Sequence, residues 1–393
     1  MAIYTHHFII VYSPCRHEAE FIQHIVPMIL DKLHSIPVFS NELLSNELLV
    51  GIDSRVGEII SNLQIELPDV RMIGICGTSG IGKTTIARVV YNRLSDQFEG
   101  SSFLADVRVV AKEVSGLISL QERLLSDILT ESDTRIPDVL KGADLISNGL
   151  RTKRILLVLD DVDQPEQLEL LAGKHSCVGP GSRIIITTTD QDLLLRHNVD
   201  QICKSKELTY EEAFSLFNSK CFKEKHPPIE YMELSNHFIN YAAGVPLAIN
   251  VLGSFLFKRT TEEWRVALEK VKLHRMGEID NFLKISFDGL GKMEREIFLH
   301  IACFLKGEDK DRVMEILECL GYSDVGLKIL IGKSFLTISS NNRLWMHNSL
   351  QQMAWEIVRQ ECVKELGKRS RLWLHEDIND VLTKNTVRDC RNL

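Results

Sequence analysis

Gly77, Gly80 and Gly82 lead into Lys83, Thr84 and Thr85 with the spacing G-x-x-x-x-G-K-T. Glycines at such places let successive backbone N–H groups turn inward on a phosphate at a helix N-terminus, where the helix dipole also favours negative charge. Lys83 would neutralise β- and γ-phosphate charge, and Thr84 would offer its hydroxyl to Mg²⁺. Downstream, the apolar run Ile155 to Leu159 ends on Asp160 and Asp161. Read alone, two aspartates after such a run cap a helix or face solvent in a turn. Behind a phosphate-binding loop, Asp160 is instead the carboxylate that holds the Mg²⁺ shell, and Asp161 is the candidate to polarise a water. The chemistry is that of a nucleoside di- or triphosphate: binding, with hydrolysis as a further step.

These groups need a frame. Val70 to Cys76, Ser102 to Val107, Ile155 to Leu159 and Ile184 to Thr188 read as buried strands, alternating with helices at Lys83 to Leu94, Ser119 to Leu129 and Gln164 to Leu171. Ser119 with Glu122 has the spacing of a capping box. Apolar strands alternating with helices mean a parallel sheet covered on both faces, which binds ligands at the carboxyl ends of its strands. After Lys206 the pattern turns helical. Thr209 with Glu212 opens a helix, and others are predicted at Tyr231 to Ala243, Leu247 to Phe257, Glu262 to Val271, Met293 to Phe304 and Asp311 to Cys319. A hairpin through Phe335 to Ile338 and Leu344 to Met346, followed by a helix from Ser349 to Gln360, suggests a winged-helix unit. The amino-terminal segment His17 to His34 carries a helical apolar stripe, and Ser35 to Glu47 reads as a linker.

Composition bounds the function classes. The chain has 393 residues, 44% of them hydrophobic and 25% charged, which fits two or three folded domains. With 46 Lys and Arg against 54 Asp and Glu, the net charge of -8 argues against a broad duplex-DNA footprint or general attraction to anionic lipid, and no nucleic-acid binding is expected. Nine scattered cysteines without paired spacing, and no signal peptide, read as reduced thiols of a cytosolic or nuclear compartment. Asn236 to Phe257 carries no charge and is long enough to span a bilayer, but Gly244 and Pro246 interrupt it, so two buried helices are expected there.

The order of motifs resembles the NB-ARC module of plant intracellular immune receptors, specifically the class with an amino-terminal TIR domain and carboxy-terminal leucine-rich repeats. The resemblance rests on Leu49 to Asp53, the Gly77 to Thr85 loop, Phe103 to Arg108, Leu159 to Asp163, Gly181 to Thr188, Gly244 to Ala248, Phe298 to Phe304 and Met346 with His347. It implies an α/β P-loop NTPase sheet over residues 49–206, a helical bundle over 207–279 and a winged-helix domain over 280–380. Residues 1–48 would be a TIR remnant and linker, and 381–393 a linker towards leucine-rich repeats. It implies a switch, ADP-bound when off and ATP-bound when on, with Mg²⁺. Val50 and Gly51 would line the adenine pocket, Gly77 and Gly80, Ile81, Gly82, Lys83, Thr84 and Thr85 the phosphates. Pro246 would pack near the base, though it serves equally as a helix breaker. His347 would reach the ADP β-phosphate, though a histidine at a hairpin exit is also an ordinary surface or capping residue.

Three departures qualify the match. Thr189 stands where the family usually has Arg, a candidate γ-phosphate sensor, and a hydroxyl cannot replace a bidentate guanidinium. Asn348 replaces the Asp of the Met-His-Asp triplet and loses a charge that could orient or protonate the imidazole. The TIR domain is essentially missing, so NAD cleavage is not expected. Lys364, Lys368, Arg369 and Arg371 form a basic cluster that reads first as a solvated loop, and otherwise as a contact for acidic partners or a nuclear-import signal. The leading expectation is an ADP/ATP switch module of a disease-resistance receptor, cytoplasmic or nuclear. The alternatives are a multiple-turnover ATPase using Asp161, or an adaptor fragment that self-associates or pairs with a full-length receptor.

Overall fold

Branched aliphatic runs too short for helices and lacking polar alternation are stable only inside a sheet covered on both faces. The computed structural model, which describes residues 2–5, 8–11, 49–129, 135–222, 228–272, 279–339, 341–363 and 365–384, arranges them so. Two strands, β1 (Ala2–Thr5) and β2 (Phe8–Val11), come first. The main sheet follows: β3 (Arg71–Cys76), β4 (Gly100–Leu104), β5 (Ile155–Leu159), β6 (Arg183–Thr188) and β7 (Gln201–Lys204), all parallel, in the order β4-β5-β6-β3-β7. Every residue of β5 is fully buried. Around the sheet lie α1 (Ile52–Leu63), α2 (Lys83–Leu94), α3 (Val107–Val110), α4 (Gly116–Leu129), α5 (Val139–Leu150), α6 (Pro165–Leu171) and α7 (Gln191–Arg196). The chain divides into two compact units, and this sheet belongs to the one formed by Leu48–Glu212 with Val245–Leu247.

Two local expectations need correction. The strand expected to run to Val107 ends at Leu104, because Asp106 turns left-handed (φ 55°) and Val107 begins α3. The Ser119–Glu122 capping box does not form. Helix α4 starts earlier, at Gly116, and the Glu122 carboxylate accepts from the Ile136 N–H instead (3.1 Å).

The other unit contains α8 from Ala213 onward (the helix is Tyr210–Cys221), α9 (Met232–Ala242), α10 from Ala248 onward (the helix is Pro246–Leu256), α11 (Thr261–Lys272), α12 (Ile279–Asp288), α13 (Lys292–His300), α14 (Lys310–Cys319) and α15 (Asp324–Gly332). A hairpin of β8 (Thr337–Ile338) and β9 (Leu344–Trp345), helix α16 (Asn348–Glu361), strand β10 (Arg371–Leu372) and helix α17 (His375–Thr383) complete it. Strand β1 pairs antiparallel with β2 and parallel with β10. Thr209 and Glu212 do form a reciprocal cap, each backbone N–H reaching the other's side chain (2.9 and 3.3 Å). The helical core is organised on Trp264, which packs within 6 Å of Phe217, Phe222, Tyr231 and Phe238 and donates to the Leu256 carbonyl.

The uncharged stretch from Asn236 breaks between α9 and α10, and no helix among the described residues is long and apolar enough to cross a membrane. Two residues of the basic cluster, Arg369 and Arg371, are buried rather than solvated, while Lys368 is exposed. Arg371 is 2% exposed and paired with Glu296, Arg369 is buried against Asp377, and Lys368 pairs with Glu365. Those charges hold the winged-helix unit together. Lys364, the segments His17 to His34 and Ser35 to Glu47, and the carboxy-terminal residues 385–393 lie outside the described residues.

One buried cation fixes the frame of the sheet. Arg183, fully buried, donates to the carbonyls of Leu63, Gln64, Leu67, Asp69 and Ser182 at 2.6–2.9 Å. Two of these end α1, so the guanidinium replaces the C-cap that a left-handed Gln64 leaves incomplete. Arg183→Ala would orphan several buried acceptors at once. It should lower the unfolding free energy by about 3 kcal/mol or more, read as a fall in the urea midpoint. An unchanged midpoint would show that these carbonyls do not depend on the guanidinium.

Candidate functional site

The turn after β3 is made possible by Gly80 and Gly82, both left-handed at φ 77° and 100°. Gly82 is the residue before α2, and a side chain there would meet no atom within 4 Å, so backbone geometry rather than space demands glycine. At the first turn of α2, Lys83 is only 8% exposed, and its Nζ donates to the Gly77 and Thr78 carbonyls (2.9 and 3.0 Å). Burial lowers its pKa, while Asp161 and Asp160 act to raise it.

Opposite stands Asp160, 1% exposed at the carboxyl end of β5. Thr84 Oγ1 donates to its carboxylate (2.9 Å), as does Thr187 Oγ1 from β6 (2.6 Å). Thr187 Oγ1 also accepts from the Asp161 N–H (2.8 Å). Burial, with the neighbouring charges of Asp106 and Asp161, pushes the Asp160 carboxyl up to about 6 against the hydrogen bonds from Thr187 and Thr84. A buried carboxylate and a threonine hydroxyl side by side are the hard oxygen donors that Mg²⁺ takes from a protein when phosphates and water complete its shell. The residues fit the ion: Thr84 and Asp160 would hold it, and it would supply charge neutralisation to a bound phosphate.

Asp161 is less available than its sequence position suggests. Its backbone is left-handed (φ 59°), and its Oδ2 accepts from both Nε and Nη2 of Arg108 (3.0 and 2.8 Å). Thr187 and Arg108 both escaped the sequence reading. Each lay inside a recognised block, but nothing in the residue order tells that Thr187 turns towards Asp160 or that Arg108 meets Asp161.

The remaining candidates separate by unit. Gly51 precedes α1 at φ 68°, and its carbonyl accepts from Arg55, which is ion-paired with Glu212 (3.0 Å). A Cβ on Gly51 would lie 2.1 Å from Glu212, so the ion pair itself requires glycine. Beside it a small cleft is lined by Arg55, Ile59, Ile75, Ile86, Cys203 and Lys206; Val50 is half-buried next to Gly51. Pro246 is brought to the phosphate loop, since the Leu247 N–H donates to the Gly80 carbonyl (3.2 Å). Ile81 is buried, and Thr85 is half-buried in the first turn of α2. Thr189 is exposed beyond the end of β6. His347 belongs to the other unit, where it caps α16: its Nδ1 accepts from the Ser349 N–H (3.1 Å), which leaves Nε2 as the donor of the neutral ring. Asn348 Oδ1 accepts from Lys306 Nζ (2.6 Å), so this position serves a lysine.

The raised pKa of Asp160 has a definite sign. Between about pH 4 and 6 the native chain holds a proton that the unfolded chain releases, so this group's contribution makes stability fall as pH rises through that window and level off above it. Asp160→Asn should remove up to about 3 kcal/mol of that slope in urea unfolding measured from pH 4 to 8. A variant that keeps the full slope would locate it elsewhere.

Residues 52–227 match the NB-ARC domain, and residues 291–362 match the winged-helix domain of Roq1-like disease resistance proteins. Disease resistance protein RUN1 of Vitis rotundifolia is 45% identical over 337 residues, covering 85% of this chain and 25% of RUN1. TMV resistance protein N of Nicotiana glutinosa is 40% identical over 377 residues, 94% of this chain and 32% of that protein. Disease resistance protein TAO1 of Arabidopsis thaliana is 36% identical over 344 residues, 86% of this chain and 28% of TAO1. The chain thus spans about a quarter to a third of the length of these relatives. With a P-loop sheet carrying the first match and a winged-helix unit carrying the second, the chain contains an NB-ARC domain followed by a winged-helix domain of the Roq1-like disease-resistance type.

Proposed function

We propose that this chain is a nucleotide switch: it binds ADP with Mg²⁺ in an off state and ATP in an on state, within a disease-resistance receptor. The observation that carries this is the constellation of Lys83, Thr84 and Asp160 around a left-handed glycine turn, with Thr187 bridging from the next strand. In this reading Gly77 and Gly80 to Thr85 hold the phosphates, Thr84 and Asp160 the metal, and Val50, Gly51 and Pro246 the base. His347 donates through Nε2 to the β-phosphate, and Thr189 contributes a hydroxyl. The P-loop domain runs over 49–206, the helical bundle over 207–279 and the winged helix over 280–380. Self-association, or pairing with a full-length receptor, transmits the state.

Binding rather than turnover is the function, because the carboxylate that would activate water, Asp161, is engaged by Arg108. A slow ATPase is the second reading, and the place of Asp161 next to Asp160 at the carboxyl end of β5 is what favours it.

Native purification followed by denaturation and chromatography should recover close to one ADP or ATP per chain, and Lys83→Ala should recover little. Well-folded protein carrying neither nucleotide would refute the switch. Steady-state phosphate release abolished by Asp161→Asn would replace it with the ATPase.

A further inference from the structure

Arg108 is fixed at the phosphate end of the sheet by two independent attachments. Its backbone N–H donates to the Asp161 carbonyl (3.0 Å), next to a matching bond from the Val107 N–H to the Asp160 carbonyl (2.9 Å). Its guanidinium then returns to the Asp161 carboxylate. The four-residue helix α3 is therefore bolted across the carboxyl end of β5. The ion pair is only partly covered, the side chains being 23% and 16% exposed.

Arg108 also acts on Lys83. Burial is the largest influence on that ammonium, Asp161 the largest opposing charge, and Arg108 depresses it further as a like charge. The Asp161 carboxylate thus pairs with Arg108 and also bears electrostatically on Lys83, while Thr84 bonds the adjacent Asp160. Arg108 is paired with the residue that follows Asp160, the acid Thr84 touches, so its guanidinium stands at the carboxyl end of the sheet, the end at which such sheets take a phosphate chain. Thr189, the exposed residue after β6, offers only a hydroxyl.

We infer that Arg108 is the group by which this chain tells a nucleoside triphosphate from a diphosphate, and that Asp161 holds the guanidinium when no terminal phosphate is present. A terminal phosphate brings more charge and more acceptor oxygens than a carboxylate, in a geometry that the planar fork matches. A diphosphate ends one group short and leaves the Arg108–Asp161 pair intact. Asp161 is then a competitor for the guanidinium as well as a neighbour of the phosphates, and its carboxylate is released only when a triphosphate is bound. This assignment rests on the nucleotide-binding reading above.

The test is the ratio of ATP to ADP affinity, measured by displacement of a fluorescent ADP analogue with Mg²⁺ present, on the full chain freed of nucleotide. Arg108→Ala should lower the ATP:ADP ratio by about tenfold or more. Arg108→Lys, which keeps the charge and loses the fork, should lower it less. Asp161→Asn, which removes the competitor, should raise it. Opposite movements in the arginine and aspartate variants are the signature, since a purely structural role for the pair would move both the same way. A ratio unmoved by Arg108→Lys and Asp161→Asn, or an equal loss of both nucleotides in Arg108→Ala, overturns the assignment while leaving the switch standing. A wild-type chain that binds neither nucleotide overturns both.

Discussion

A carboxylate shut away from water at the end of a strand is costly unless its neighbours are chosen for it. Asp160 is that group, and two hydroxyls meet it, Thr84 from the helix that follows the phosphate loop and Thr187 from β6. The strand order makes this possible. Because β6 lies beside β5, a threonine near its end can touch the carboxylate that β5 delivers and accept from the next backbone N–H. Even so, two hydrogen bonds do not cancel the burial, which still pushes the carboxyl up to about 6. That residue of unfavourable charge is a standing demand for a cation, which is why this acid, rather than the better-paired Asp161, is the metal-binding candidate.

The loop and its acid were legible from the sequence because each carries a local pattern. Glycine spacing fixes the turn, and an unbroken apolar run marks β5, whose observed bounds match those expected. Elements without such a pattern were not legible. Strand β7 buries only Cys203 at the sheet edge, so its sequence alternates with nothing. Helix α5 was not recognised, since Leu140 and Leu145 lie exposed and blur its apolar face; its start is marked only by Asp138, which caps Leu140 and Lys141. Long-range roles were hidden for a different reason. Arg183 reads as one more residue in a strand block, yet it serves carbonyls more than a hundred positions away. No periodicity encodes that.

The winged-helix unit repeats the lesson. Arg369 and Arg371 of the exposed-looking basic cluster are interior, because Glu296 and Asp377 come from helices distant or offset in sequence from Arg371 and Arg369. The change from Asp to Asn at 348 was expected to act through the imidazole of His347. The hydrogen bond from Lys306 gives that position a different partner, and the π-turn at Ile301–Leu305 explains how Lys306 is presented. Within that turn the Ala302 carbonyl is taken up by the side chains of Gln351 and Trp355 from α16, so the lysine, the turn and the helix behind His347 form one assembly.

The central claim is that the glycine turn, Lys83, Thr84 and Asp160 together form a phosphate and metal site. A crystal structure with Mg²⁺ and ADP tests it most directly. The account predicts phosphate oxygens cradled by the backbone N–H groups of residues 80–84, the Lys83 ammonium drawn off the Gly77 and Thr78 carbonyls onto the phosphate, and the ion beside Thr84 and Asp160. A nucleotide seated elsewhere, with Lys83 still bonded to those two carbonyls, would contradict it.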